Sequence, residues 1–472
     1  MMVSVRGVIF NFVMIDKVDK CFGRECLNIE HSFVYFMEKS GVEKKAVDKK
    51  KFLFVSEEAL IGDLAWQVKQ EGHDVKYFIG EKAQKDVCDG FVEKIDDWKQ
   101  FKDWADVIVF DDVFFGEAAD KLRKEGKAVI GGSAYTDKLE EDREFGQAEL
   151  KKVGVNVLPH WDFEDFDQAI DFVKKNPGRY VLKPTSKTGE KELLYVGQEE
   201  DGKDVLQVLE LYKKAWSKKI TGFQLQKYAS GVEVAVGAFF NGVDFISPIN
   251  VNFEHKRMFP GDIGPSTGEM GTSCYWAPSN RIFNETLVKV LPMLRESGYV
   301  GYVDLNCIVN NKGIHPLEFT TRFGYPTISL HIEGVTSQWG EFLHALANKK
   351  PFDLKTKKGF QVCVVVAVPP FPFYDIAAFK KYSEDATIMF RKKIDDGLHL
   401  GDVKLVEGDW RLAGYSGYAL VVTGSGPTMD DARKQVYQRV RNIMIPNMFY
   451  RTDIGVRWFT DSDRLHTWGY LS

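Results

Sequence analysis

The chain reads as a multidomain α/β protein. A doubly wound parallel sheet lies near the front, antiparallel hairpins fill the middle, and a β-rich region closed by a helix ends the chain. Three observations predict this. Short apolar strands alternate with helical stretches over residues 51–137, the pattern of parallel strands joined by crossovers. Strand pairs joined by turns rich in Gly and Asn occupy residues 179–320. Strongly β-branched stretches follow at 360–369 (FQVCVVVAVP) and 418–423 (YALVVT).

Length and composition bound the rest. At 472 residues the chain exceeds one ordinary core, and about two to four domains are expected. With 44% hydrophobic residues, 28% charged residues and a net charge of −5, it has no basic excess that would point to nucleic acid. No apolar run is long enough to span a bilayer. The six cysteines (Cys21, Cys26, Cys88, Cys274, Cys307, Cys363) contain no CxxC pair, which predicts reduced thiols in a cytoplasmic protein. VRGVIFNFVMI near the start is short and lacks a small-residue cleavage site, so it is not read as a signal peptide. The lysine-rich run at 44–50 reads as a solvated linker, and Met37 as an alternative start. The expected division is therefore an extension and linker at 1–50, a parallel-sheet domain at 51–137, a central domain at 138–350 and a β-rich domain at 351–472. A lid spans about 160–228 of the central domain.

The elements follow in order. Strands are expected at 51–56, 75–79, 104–110 and 128–130, with helices at 59–72 and 116–126. Asp111 and Asp112 close the third strand, and ligands of such sheets bind at the carboxyl ends of strands. No G-x-G-x-x-G is present, so a dinucleotide fingerprint is absent. Helices are expected at 138–153 and 165–175. Residues 179–196 then form two strands around a loop of Thr, Ser, Lys and Gly, with Lys183 leaving the first strand and Lys191 entering the second. That pattern suits a phosphate lid or a charged exposed hairpin. Residues 223–245 read as strand, turn, long strand, Asn-Gly turn and strand. Glu233 is a lone carboxylate there, suited to ribose hydroxyls or to a lysine partner. Residues 252–276 read as a long substrate loop, with four glycines and the basic cluster His255, Lys256 and Arg257. Helices are expected at 284–297, 332–349 and 428–443, the last opened by Thr428 as its cap.

Residues 301–324 (GYVDLNCIVNNKGIHPLEFTTRFG) are the centre of the reading. A turn at Asn310–Gly313 joins two strands carrying Asp304 and Glu318. Buried carboxylates are costly unless paired or bound to metal. Two on facing strands suit Mg²⁺ and its phosphate ligands, and equally a salt-bridged hairpin. Arg322, four residues after Glu318, is expected on the same strand face, within reach of a phosphate oxygen. Regular pairing about the turn sets Asp304 opposite Phe319, so a bulge or offset is needed before both carboxylates share a face.

Taken together, HKR…GDIGPSTGEMG, PLEFTTRFG and DDARKQVYQRV…FYRTDIG resemble the ATP-grasp superfamily, and within it the glycinamide ribonucleotide synthetases. The resemblance runs from about residue 138 to residue 457. It implies an ATP-grasp fold and a ligase that joins a carboxylate to an amine through an acylphosphate, with a place in purine biosynthesis. It implies ATP and Mg²⁺ as cofactors, Mn²⁺ being an alternative. Lys183 and Lys191 match phosphate-binding lysines; Gln226, Lys227 and Tyr228 match the hinge that lines the adenine; Glu233 matches the ribose glutamate. Glu318 and Asp304 correspond to metal carboxylates and Arg322 to the arginine of RFG. His255, Lys256, Arg257, Ser266, Thr267 and Gly268 match the substrate loop, with Arg322, Lys256 and His255 taking the catalytic roles.

The departures are specific. Thr320 stands where the family has a metal-binding Asn, and Tyr325 and Thr327 where it has Asp and Glu. Ser266 replaces an Asn and Glu269 a Gly. VSEEALIGDLAW replaces the amino-terminal GGREHAL motif. A ligase acting on a different amine, such as a modified nucleotide or peptide, is therefore a second reading. A non-catalytic nucleotide-binding protein is a third. The expected partners are small molecules only, in a monomer or homodimer, with neither nucleic acid nor membrane.

Overall fold

Five parallel strands, a four-stranded lid sheet and one long antiparallel sheet organise the protein. The computed structural model describes residues 4–5, 8–9, 48–184, 194–216, 222–394 and 396–471. The chain divides into two units, Met1–Asp48 and Lys49–Ser472. In the first, the described residues include an antiparallel pair, Ser4–Val5 with Val8–Ile9. The remaining readings within 1–47, Cys21 and Cys26 included, lie outside the described residues.

The second unit begins with the parallel sheet. Its strands are β1 (Lys51–Ser56), β2 (Asp74–Ile79), β3 (Glu93–Lys94), β4 (Val107–Phe110) and β5 (Val129–Ile130), in the order β3-β2-β1-β4-β5. Helices α1 (Gly62–Gln70) and α2 (Gly116–Lys124) provide crossovers. Strand order reverses beside β1, so the carboxyl ends of β1 and β4 flank the crevice where such sheets bind ligands.

The single helix expected at 138–153 is two: α3 (Ala134–Glu141) and α4 (Arg143–Lys152). Asp142 is extended, and its carboxylate accepts from Phe145 N at 3.0 Å, ending one helix and capping the next. The helix expected at 284–297 also breaks, at Thr286, after Arg281–Glu285 and before Leu287–Ser297.

The lid sheet contains β6 (His160–Phe163), β7 (Tyr180–Pro184), β8 (Tyr195–Val196) and β9 (Phe223–Lys227), in the order β8-β7-β9-β6. Helices α5 (Phe166–Lys175) and α6 (Lys203–Trp216) accompany these strands in sequence. The lid expected at about 160–228 falls on this sheet and its two helices in sequence. Its loop and Lys191 lie outside the described residues.

The long sheet begins with β10 (Val232–Phe240) and β11 (Phe245–Glu254). The region read as a loop at 252–276 is instead the end of β11, a hairpin of β12 (Arg257–Phe259) and β13 (Ile263–Ser266), and β14 (Gly271–Ala277). Its glycines serve tight turns rather than a long loop: Gly261 and Gly264 have positive φ. The central hairpin follows as β15 (Gly301–Asn310) and β16 (Gly313–Thr320), then α9 as numbered from α7 (Arg281–Glu285) and α8 (Leu287–Ser297), spanning Thr327–Gly334. Beyond the boundary expected at 350, β17 (Phe360–Ala367), β18 (Leu398–Leu400) and β19 (Tyr418–Gly426) extend the same sheet, in the order β16-β15-β10-β11-β14-β17-β19-β18. One face is apolar: Val234, Val236, Val251, Phe253, Val303 and Leu305 belong to a single buried cluster. No helix of the described residues is long and apolar enough to cross a membrane.

Candidate active site

The opposite face of the long sheet carries a polar patch near its middle, and strand register explains why. Side chains alternate along a strand, so directly paired residues share a face. Asp304 pairs with Thr320 and Asn306 with Glu318. The expected partner of Asp304, Phe319, is displaced because the register shifts between Asn306 and Cys307, which pairs with Pro316. Leu317 is the extra residue. Pro316 has no N–H for the ladder, and β16 is an edge strand, where such irregularity is tolerated. The bulge sets Asp304 and Glu318 on one face, two residues apart along the ladder. Across β10, Asp304 pairs with Gly237 and Asn306 with Ala235; Ala235 in turn pairs with Asn252 on β11. Asn252 pairs with Cys274 and Glu254 with Thr272.

Lys256 is the hub of this face. Its Nζ lies 2.9 Å from Glu318 Oε1, 3.1 Å from Glu254 Oε2 and 3.4 Å from Glu233 Oε1. Burial pulls the amine down, but Glu254, Glu318 and Glu233 outweigh it and hold the lysine charged. Lys256 in turn holds the Glu318 carboxyl well below the usual carboxylate range. Asn306 Nδ2 donates to Glu254 at 2.9 Å and to Glu233 at 3.1 Å. Asp304 is not in this ion-pair group. Its Oδ2 accepts from Asn252 Nδ2 at 2.8 Å and from Tyr302 at 3.1 Å. Burial, helped by Glu254, pushes its carboxyl up to about 8.

Lys183 approaches from lid strand β7, where it pairs with Gln224. It is 8% exposed. Burial lowers its amine to about 7; Arg143 and Lys256 add to the fall, while Glu318 and Glu233 oppose it. Gln226, on β9, keeps a buried Nε2 with no partner. Lys227 and Tyr228 turn toward the start of β7: Lys227 Nζ lies 5.4 Å from the Tyr180 ring centre, and the Arg179 guanidinium 3.5 Å from that of Tyr228.

Two expected residues lie elsewhere. β16 ends at Thr320, so Arg322 is beyond the strand rather than on the face of Glu318. Its Nε lies 3.0 Å from Glu140 and 3.4 Å from Asp112 at the end of β4. His255 is buried, and burial, helped by Arg457 and Arg451, lowers its imidazole to about 3, so the ring is neutral. It faces that arginine group rather than the carboxylates around Lys256. The β12–β13 hairpin is tied down there. Arg451, 1% exposed, donates to Arg257 O at 2.8 Å and to Asp262 at 2.9 Å, and holds Asp453 at 2.7 Å. Arg257 donates to Gly264 O at 3.0 Å, and Ser266 is its ladder partner. Thr267 donates through Oγ1 to Lys256 O, while Gly268 has open space above it.

Glu254, Asn252, Asn306 and Thr272 were missed from the sequence. The signal was present on β11, where Asn250, Asn252 and Glu254 alternate with Val251 and Phe253.

A parallel-sheet domain followed by a four-stranded sheet and a long antiparallel sheet is the fold of an ATP-grasp protein, and the comparisons with known proteins agree. The family described as "Phosphoribosylglycinamide synthetase, ATP-grasp (A) domain" matches residues 141–328, and that family's C domain matches residues 361–457. The phosphoribosylamine–glycine ligase of Clostridium acetobutylicum is 25% identical over 348 residues, 71% of this chain and 80% of that protein. That of Streptococcus pneumoniae is 25% identical over 73% of this chain and 82% of its own. Among solved structures, the Thermotoga maritima phosphoribosylamine–glycine ligase is similar at a TM-score of 0.64 and 19% identity, covering 86% of this chain and 100% of that one. A Campylobacter jejuni biotin carboxylase shares the fold at a TM-score of 0.59 and 13% identity, over 90% of this chain and 98% of that one. The chain belongs to the phosphoribosylglycinamide synthetase family. By that family it is an ATP-dependent ligase forming C–N bonds and resembles phosphoribosylamine–glycine ligase.

Proposed function

We propose that the chain joins the carboxylate of an amino acid to an amine, through an acylphosphate. The observation that carries this reading is Lys183. It is a buried amine beside the polar face, with no carboxylate in ion-pair distance among the described residues. A site built this way meets an anion, as a phosphate-binding lysine does.

The residues present fit a nucleotide and a divalent cation. The unpartnered Nε2 of Gln226 suits a base, and Gln226, Lys227 and Tyr228 are assigned to its orientation. Glu233 is assigned to the ribose, and Lys183 with Lys191 to the phosphates. Glu318 and Asp304 offer oxygens on one face, which suits Mg²⁺ or Mn²⁺. When bound, ATP supplies the phosphoryl group and the cation offsets its charge. Lys183 positions phosphate oxygens; Arg322 is assigned to charge on the transferring group, leaving its contact with Glu140 to do so. Lys256 and His255 are assigned to order the acceptor side, with Arg257, Ser266, Thr267 and Gly268. A carboxylate oxygen of the acid attacks the γ-phosphorus and ADP leaves. The amine nitrogen then attacks the acyl carbon, and phosphate leaves with the C–O electrons. Lid closure excludes the water that would hydrolyse the acylphosphate.

The acid and amine named in the relatives, glycine and phosphoribosylamine, are the first pair to test. A different amine is the second reading, favoured by Glu269 where the family resemblance gives Gly. A cytoplasmic setting and a monomeric or dimeric state belong to the same proposal. ADP release measured over amino acids crossed with amines tests it. Release that needs both substrates supports the reading, and ATP hydrolysis indifferent to both overturns it.

A further inference from the structure

A chain of buried hydrogen bonds runs from the parallel-sheet domain, through the far end of the long sheet, to helix α9. It starts at Asp63, in the first turn of α1. Asp63 Oδ1 accepts from Leu400 N at 2.9 Å, and Oδ2 lies 2.8 Å from His399 Nδ1. The other ring nitrogen of His399, Nε2, lies 2.8 Å from Thr423 Oγ1. β18 pairs with β19 so that His399 faces Val421, and Thr423 follows two residues on, on the same face. Thr423 Oγ1 donates at 2.9 Å to Glu333 Oε2, in the last turn of α9. Glu333 Oε1 accepts from Ser425 Oγ at 2.8 Å and from Lys357 Nζ at 2.7 Å. Arg439 donates to Thr423 O at 2.7 Å and lies 3.7 Å from Glu333 Oε2. All four members of the chain are buried, Thr423 completely.

Carboxylate, imidazole and hydroxyl stand here in the order of a nucleophilic triad. The hydroxyl is committed to Glu333 and closed off from solvent, so it has no path to a substrate. Stability is not a sufficient reason for the chain either, because buried polar groups gain little over well-packed apolar ones and are best attested as fixing register. What this chain fixes is the spacing of two helices. A narrow cavity lies between the starts of α1 and α9, lined by Ala59, Asp63, Tyr325, Ser329, Gly401 and Asp402. It adjoins the crevice at the carboxyl ends of β1 and β4, where such sheets bind ligands: Ile61 N and the Tyr325 hydroxyl both donate to Asp111 Oδ2, at 3.2 and 3.5 Å. α9 has only eight residues, so holding its last turn holds the helix. The other end of α1 is tied separately, where Glu71 accepts from Trp339 N at 2.9 Å and from Gly340 N at 2.8 Å. Cutting the chain therefore frees the cavity walls without detaching α1.

We propose that His399 and Thr423 are positioning residues for the amine acceptor: by joining Asp63 to Glu333 they set the separation of α1 and α9, and with it the cavity that receives the acceptor. This rests on the ligase reading above, and it adds a part from the end of the chain to a site otherwise built from the lid and the central hairpin. The hydrogen bonds of the two residues reach none of the groups assigned to ATP or the cation. Cutting the chain therefore acts on the amine and spares the nucleotide. Without the Thr423 hydroxyl, His399 Nε2 loses its partner, and Glu333 Oε2 keeps only Arg439 at 3.7 Å. Buried polar groups left this way are costly, and the two halves of the chain then relax apart from one another.

Three variants of the full chain test this. Thr423→Val removes the hydroxyl at nearly constant volume, Thr423→Ser keeps it, and His399→Gln is a second way to cut the chain should Thr423→Val not fold. Hydrogen exchange read over residues 62–70 and 327–334 follows the two helices directly. Thr423→Val should speed exchange by about tenfold in both stretches, while Thr423→Ser leaves both near the parent. Turnover is then measured with ATP, glycine and phosphoribosylamine, and hydroxylamine traps the acylphosphate as a hydroxamate without the amine. Thr423→Val should raise the KM for the amine by about tenfold and leave hydroxamate formation and the KM for ATP unchanged, with Thr423→Ser restoring the amine KM. Faster exchange in only one stretch, or an ATP KM that moves with the amine KM, overturns the positioning role and leaves the ligase reading standing wherever hydroxamate forms. So does a Thr423→Ser enzyme as impaired as Thr423→Val. A parent that yields neither hydroxamate nor ADP with any acid and amine overturns the ligase reading and the acceptor role together, and the exchange data alone then decide whether the chain ties the helices.

Discussion

Lys183 shows how burial prepares a side chain for an anion. With its amine lowered to about 7, the free protein holds the lysine charged below that pH and neutral above it. A bound phosphate favours the charged form. Nucleotide affinity should therefore be level below about pH 7 and weaken as pH rises, by up to about tenfold per unit, until the raised pKa of the complex is passed. Lys183→Ala should weaken ATP binding by about 1.5–3 kcal/mol and flatten this pH profile. Calorimetry across that range checks both, and an unchanged affinity removes Lys183 from the site. Asp304 gives a second test. Its carboxyl is raised to about 8 by burial, so in the folded protein it is neutral where the unfolded chain's Asp is ionised. That difference costs stability as pH rises from the ordinary Asp value toward 8. Asp304→Asn can still accept from Asn252 and Tyr302, so it should melt higher than the parent at pH 8. If Asp304 supplies an oxygen to the cation, the same variant loses divalent-dependent turnover. Normal turnover would leave Glu318 without it.

At the scale of elements, the sequence was most legible where local chemistry decides. The turn at Asn310–Gly313, the parallel strands and the Thr428 cap were all predicted and are present. The bulge at Leu317 was anticipated only as one of two ways to bring Asp304 and Glu318 together. Its position depends on β16 being an edge strand, which no local pattern states. The break at Asp142 was missed because the helical spacing continues across it, while the capping bond from Phe145 decides the matter. Asp142→Ala should cost about 1 kcal/mol, measured by denaturant unfolding. The polar face was legible strand by strand on β11 but not as an assembly. Joining Asn306, Ala235, Asn252 and Cys274 into one row requires the strand order. The tail motif FYRTDIG was visible as a resemblance, but its work was not. Arg451 fixes the β12–β13 hairpin from almost 200 residues away, and Arg451→Met should leave that hairpin open to limited proteolysis before the rest of the chain.

Across the whole second unit, Arg322 joins three parts that are distant in sequence. It contacts Glu140 on α3 and Asp112 at the end of parallel strand β4, from just beyond the central hairpin. Asp111 lies beside them, fully buried, with Oδ2 accepting from Ser56 at 2.5 Å and Ile61 N at 3.2 Å, and with Oδ1 unpartnered. Burial raises the Asp111 carboxyl well above its ordinary value; Asp112 adds to the rise, and Arg322 opposes it. Arg322 is therefore the cation that lets three carboxylates share one crevice. Arg322→Met keeps much of the side-chain volume but removes that charge. Removing one member of a largely buried ion-pair group costs about 3–5 kcal/mol, because the remaining charges stay desolvated. The pH dependence follows from Asp111. Its raised carboxyl costs nothing while it is protonated in both folded and unfolded states, and the cost grows as pH rises above the unfolded value. Losing Arg322 raises that carboxyl further, so the deficit of Arg322→Met against the parent should be larger near pH 8 than near about pH 4. Thermal melts at both values measure this. An equal deficit at the two pH values would show that Arg322 contributes packing rather than charge to the crevice. A variant that melts like the parent while phosphoryl transfer fails would instead place Arg322 at the reacting phosphate and not in the tether.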